Sequence, residues 1–122
     1  MIFEVSLGQI VPQMSGATVE CVHARPGDML AMGSKLVDLS VDLSRAFAQE
    51  CPPVSYYRVV LREKACLRAL TVKPGEALDV GELVALFSTD PAEPLDQTPE
   101  RALRTTVAGI MHHENMFSGQ QL

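Results

Sequence analysis

The sequence predicts an all-β domain made of two copies of one strand-and-turn unit. Three observations predict it. First, Arg25-Pro26-Gly27-Asp28-Met29-Leu30-Ala31-Met32-Gly33 is written again as Lys73-Pro74-Gly75-Glu76-Ala77-Leu78-Asp79-Val80-Gly81, each reading basic-Pro-Gly-acid-x-Leu-x-x-Gly. Second, Gly27 and Gly75 stand 48 positions apart, a period that marks repeated supersecondary units. Two copies are too few for a solenoid, so they make two halves of one small domain. Third, each copy runs on into a short apolar stretch, Leu36, Val37, Leu39 and Val41 in the first and Leu83, Val84, Leu86 and Phe87 in the second, of strand rather than helix length.

The turn chemistry is specific. Pro26 and Pro74 preset φ ahead of Gly27 and Gly75, which can take φ > 0, as a type II turn requires at its two central positions. The acids that follow, Asp28 and Glu76, are placed to accept a backbone N–H, which explains them as structural rather than catalytic. Gly33 and Gly81 mark a second reversal in each copy.

Along the chain, Phe3, Val5 and Leu7 alternate as an opening edge strand, and residues 8–16 are loop-like. Residues 17–24 read as a half-buried strand. His23 in it reads as a partly exposed strand histidine with no second metal ligand nearby in sequence, and Cys21 and Cys66 read as small hydrophobes. Val54 to Arg62 is a strong strand by composition. Its Tyr56, Arg58, Val60 and Arg62 face one way, and Tyr57, Val59 and Leu61 the other.

Composition narrows the function. At 122 residues the chain is one domain with a modest core. Its net charge of −5 argues against nucleic acid or an anionic membrane as partner. No apolar run approaches membrane-spanning length, and Met1-Ile2-Phe3-Glu4 lacks the basic start of a signal peptide. Three cysteines without CxxC spacing fit a reducing compartment, so a cytoplasmic protein is expected.

The run Leu7 to Val22, followed by Pro26 to Leu36 and repeated over Leu67 to Phe87, resembles a biotinyl/lipoyl-attachment domain across residues 3–88. The resemblance implies a flattened β-barrel of two four-stranded antiparallel sheets with quasi-twofold symmetry, the barrel-sandwich hybrid. In that family an exposed lysine at the tip of a hairpin carries the cofactor, within Glu-Thr-Asp-Lys-Ala or Met-Lys-Met. Here the matching stretch is Ser40-Val41-Asp42-Leu43-Ser44. Asp42 is kept, but Leu43 stands at the attachment position and has no amine to form the amide. No cofactor is therefore expected. Among the lysines, Lys35 and Lys73 fall at the wrong end of the repeat, and Lys64, followed by Ala65, is the one alternative attachment site.

The comparison also exposes an inserted lobe at 44–55. Ser44 can cap a single helical turn through Glu50, stopped by Cys51-Pro52-Pro53. The lobe and its flanks place Leu43, Phe47, Cys51, Tyr56 and Arg58 where relatives display a cofactor. Two readings stand side by side: a protein-contact surface, or a lobe that packs down on its own barrel. Cys51 reads as a spectator thiol, because no Cys/His pair with a third orienting residue is evident.

Beyond Ser88, residues 89–98 form a Pro/Asp linker. Thr98-Pro99 opens a helix over 99–112, with Leu103, Val107 and Ile110 on one face, and 113–122 is a polar, frayed tail. Adjacent His112 and His113 would point about 100° apart on that helix and share no metal well. The sequence thus predicts a non-catalytic biotinyl/lipoyl-like module without cofactor or metal that contacts another protein. The alternative is a carrier subunit of a multienzyme complex modified at Lys64. A stand-alone enzyme lacks a nucleophile–base pair, a GxGxxG loop or a ligand cluster.

Overall fold

The computed structural model of the chain describes residues 1–42 and 54–110. Leu43, Phe47, Cys51, the helical turn after Ser44, the His112-His113 pair and the polar tail lie outside the described residues. Among those described there is no helix. The strands are β1 (Ile2–Ser6), β2 (Gly16–Val22), β3 (Met29–Leu30), β4 (Lys35–Asp42), β5 (Val54–Leu61), β6 (Ala65–Leu70), β7 (Ala77–Asp79), β8 (Leu83–Ser88), β9 (Arg101–Ala102) and β10 (Thr105–Ile110).

They form two five-stranded sheets, ordered β3-β6-β8-β1-β9 and β10-β5-β4-β2-β7. Read from its other edge, the second sheet runs β7-β2-β4-β5-β10, which matches the first strand for strand. The inward faces meet in one core, where Phe3, Phe87, Leu36, Leu61, Leu67 and Val19 are almost fully buried. Strand alternation produces this core. In β4, for example, Val37, Leu39 and Val41 are buried while Asp38 and Asp42 are not.

The four turns share one geometry. Gly27, Gly33, Gly75 and Gly81 all have φ between 92° and 101°, open to glycine without a Cβ penalty. Asp28, Ser34, Glu76 and Glu82 each donate a backbone N–H to the carbonyl three residues back, at 3.0–3.1 Å. Each also accepts, through its side chain, the N–H of that same residue: Arg25 to Asp28 at 2.9 Å, Ala31 to Ser34 at 3.1 Å, Lys73 to Glu76 at 3.0 Å and Asp79 to Glu82 at 2.8 Å.

Every turn is clamped onto the opposite half of the chain. Gly27 donates to Leu67 (2.7 Å) and Leu67 donates back to Asp28 (2.9 Å); Gly75 and Glu76 make the same exchange with Val19 at 2.6 and 2.8 Å. Gly33 and Ser34 bond reciprocally to Leu61, and Gly81 and Glu82 to Leu7, at 2.7–2.9 Å. Neither half can satisfy its own turn amides alone, which is why the halves interlock.

Several expectations are corrected. Arg101–Ala102 and Thr105–Ile110 are strands, in place of the helix expected over 99–112. Leu103, Val107 and Ile110 have helical spacing, but Thr105-Thr106-Val107 is β-branched. Two sheet edges lay open to receive the segment: β9 pairs with β1, in parallel, and β10 pairs with β5. Leu103 is buried between them at 4% exposure. For the same reason β1 is not an edge strand, and each sheet has five strands rather than four. Within the expected 44–55 lobe, Val54 and Ser55 belong to β5. No helix among the described residues is long and apolar enough to cross a membrane.

Candidate functional site

The chemistry gathers on the outer face of β2, β4 and β5. A β-bulge at Glu20 places an extra residue between Val19 and Cys21 against β4, and a bulge re-aims the side chains beyond it. Val19 points into the core and Glu20 out. Cys21, whose phase would otherwise be inward, is exposed, and Val22 turns in against the core. His23 stays on the ladder through its N–H to Leu36 (2.9 Å). Cys21 and His23 therefore share the outer face, and Asp38 stands directly opposite Cys21, with Arg58 opposite Asp38.

Asp38 is the centre of this cluster. Its Oδ1 accepts Arg58 Nε at 2.8 Å and its Oδ2 accepts Arg58 Nη2 at 3.1 Å, a two-point guanidinium–carboxylate contact. His23 Nε2 lies 3.0 Å from Oδ2. Partial burial pushes the Asp38 carboxyl up, but the hydrogen bonds and charges of Arg58 and His23 outweigh it and hold the group below the ordinary carboxylate value. The bond to Asp38 in turn holds the Arg58 guanidinium above its ordinary value. Beside the cluster, Ser40 Oγ donates to Glu20 Oε2 at 2.6 Å, and Tyr56 is the register partner of Ser40.

The other half repeats the scaffold without the chemistry. A bulge at Arg68 matches that at Glu20, and Arg68 Nη1 donates to Ser88 Oγ at 3.0 Å where Ser40 bonds Glu20. The positions matching Cys21, His23 and Asp38 at the 48-residue offset are Ala69, Thr71 and Leu86. Glu4, opposite Leu86, takes the place of Arg58. Folding the unit does not require the cluster.

Of the expected contact residues, Tyr56 and Arg58 lie on this face, while Leu43, Phe47 and Cys51 fall outside the described residues. Pro26, Gly27, Asp28, Gly33, Pro74, Gly75, Glu76 and Gly81 sit in the four clamped turns. Lys64 is exposed in the β5–β6 connection, at the far end of β5 from Val54, which pairs with Asp42. Cys66 is buried as expected, but Cys21 is exposed, which corrects its reading as a core hydrophobe. The expectation of no ligand cluster also fails. Among the described residues, Cys21, His23 and Asp38 offer three ligand-type atoms within 4.8 Å of one another. Cys21-x-His23 carried the signal, since alternate residues of a strand share a face.

An apolar cavity of ≈ 130 Å³ lies on the opposite face of the same sheet, between Val37, Leu39 and Val59 on one side and Val5, Leu7 and Val84 on the other. The polar cluster does not line it. No protein-family model, curated protein sequence or solved structure matches the chain.

Proposed function

We propose that this chain is a biotinyl/lipoyl-like barrel-sandwich hybrid that carries no covalent cofactor and works by contact with another protein. The observation that carries the reading is the contrast between its halves. Strand order, bulges and all four clamped turns correspond, whereas the Cys21–His23–Asp38–Arg58 cluster occurs on one side only. A feature that the scaffold can omit in one copy is available for recognition in the other. Leu43 supports the absence of a swinging arm, because an aliphatic side chain offers no amine. Among the described residues, the cluster stands on the outer sheet face and does not line the apolar cavity, which supports contact over catalysis. The net charge of −5 supports a protein partner over nucleic acid.

The contact surface in this proposal is the outer face of β4 and β5 with residues 43–53, which lie between them in sequence. It takes in Tyr56 and Arg58, and from the sequence Leu43, Phe47 and Cys51. Intact mass of the protein from its native cell tests the cofactor-free reading: an unmodified chain is expected, and a lipoyl or biotinyl adduct overturns it. Equal recovery of the same bound proteins by wild type and by a Tyr56→Ala/Arg58→Glu variant would place the contact elsewhere.

A further inference from the structure

We infer that Cys21, His23 and Asp38 form a binding site for a divalent transition metal ion of the zinc class, with a fourth coordination position open to solvent or to a ligand. Thiolate, imidazole and carboxylate are the donor set that such ions take in combination, and three protein ligands with an open fourth position is the arrangement of accessible zinc sites.

The sheet supplies the geometry. Cys21 and His23 alternate on one strand, and Asp38 pairs with Cys21 on the next, so three donors converge from a rigid ladder rather than a loop. All three donor atoms lie within 4.8 Å of one another. Ligand atoms around a tetrahedral zinc stand about 3.3–3.8 Å apart, given bonds of about 2.0–2.3 Å. His23 Nε2 and Asp38 Oδ2 are 3.0 Å apart, so reaching bonding distance needs a small opening of that pair and a closing of any separation near the 4.8 Å limit.

Arg58 takes the role of an outer partner. Its Nε bond to Oδ1 and its Nη2 bond to Oδ2 hold the Asp38 carboxylate in place with Oδ2 3.0 Å from His23 Nε2, as hydrogen bonds behind ligating carboxylates do. Binding requires no redox step. The Cys21 S–H bond gives up its proton to solvent, and His23 coordinates through Nε2 as the neutral imidazole with its one proton on Nδ1. The second half of the molecule is an internal control. Ala69, Thr71 and Leu86 occupy the matching places on the same scaffold and offer at most one weak donor, a hydroxyl.

The test uses the full chain, reduced and freed of metal with a chelator. Equilibrium dialysis against zinc is expected to show one saturable ion per chain, and cobalt to give a thiolate-to-metal charge-transfer band. Cys21→Ser and His23→Ala each weaken binding at least tenfold, while Cys51→Ser and a His112→Ala/His113→Ala double variant do not. In the unsubstituted chain, zinc is expected to protect Cys21 from iodoacetamide, read by peptide mass, so the result does not depend on any variant folding. No saturable uptake, or uptake that survives both substitutions on β2 and leaves Cys21 as reactive as before, overturns the inference.

Discussion

Arg101 grips Glu63 at two points: Nη1 donates to Oε2 at 2.7 Å and Nη2 to Oε1 at 2.9 Å. The same carboxylate accepts the backbone N–H of Arg104 at 2.8 Å, and the guanidinium lies 4.3 Å from the centroid of the Phe3 ring. Glu63 sits between β5 and β6, and Arg101 begins the segment that lays one strand on each sheet. One ion pair thus ties the C-terminal strands to the connection between the sheets.

This pair sets an acid limit on stability. The hydrogen bond from Arg101 outweighs the opposing effect of burial and, with the Arg104 N–H and both charges, holds the Glu63 carboxyl at about 2, below its ordinary 4.5. Because the folded value is depressed, its stabilisation is complete above pH 4.5 and is lost as pH falls toward 2. Arg101→Ala is expected to flatten thermal stability against pH across that window. At neutral pH the cost should be small, because the pair is partly solvated.

Leu103 and Val107 separate the strand from a helix. A helix over this segment buries both on one face, so truncating either would cost alike. In the observed fold Leu103, between β9 and β10, is 4% exposed and Val107, in β10, 40%. Leu103→Ala should cost about 2–4 kcal/mol in urea unfolding, and Val107→Ala within about 0.5 kcal/mol of zero.

Two glycines should fail for different reasons. Gly75 has φ +92° with open space around a Cβ, so Gly75→Ala meets only backbone strain, about 1–2 kcal/mol. Gly16 has an ordinary φ, but a methyl there would run into the Leu78 carbonyl, forcing β2 and β7 apart. Gly16→Ala is expected to cost more than Gly75→Ala. Amide exchange should rise locally at Ala17, Leu78 and Asp79 in the first variant, and at Val19 and Glu76 in the second.

Arg58→Ala should move the Asp38 titration, followed by carboxyl NMR shifts, up toward the ordinary carboxylate value, since the Arg58 bond is the largest influence holding it down. The folded carboxyl is depressed, so this stabilisation belongs to pH above about 3.9 and fades below it. An unmoved midpoint would show that His23 alone sets the value.

Much of the architecture was legible because turns and alternation are local. Pro-Gly-acid fixes a reversal through its own dihedrals and its own N–H, and the 48-residue echo between Gly27 and Gly75 needs no partner to be seen. Tyr57, Val59 and Leu61 announced their inward face by period alone. Local chemistry does not show which edges are still unpaired when the last segment arrives. That is why Leu103 and Val107 looked helical until β1 and β5 offered them ladders.

The site divides along the same line. The sequence by itself determined that each half carries two glycine turns, and that residue 43 is a leucine without an amine. Only the tertiary structure decided that Cys21 faces outward, because a single extra residue at the Glu20 bulge inverts the phase of everything after it. It also carried Asp38 and Arg58 to His23, since register between strands is set by long-range pairing and by the buried faces of β2, β4 and β5, not by neighbours in the chain.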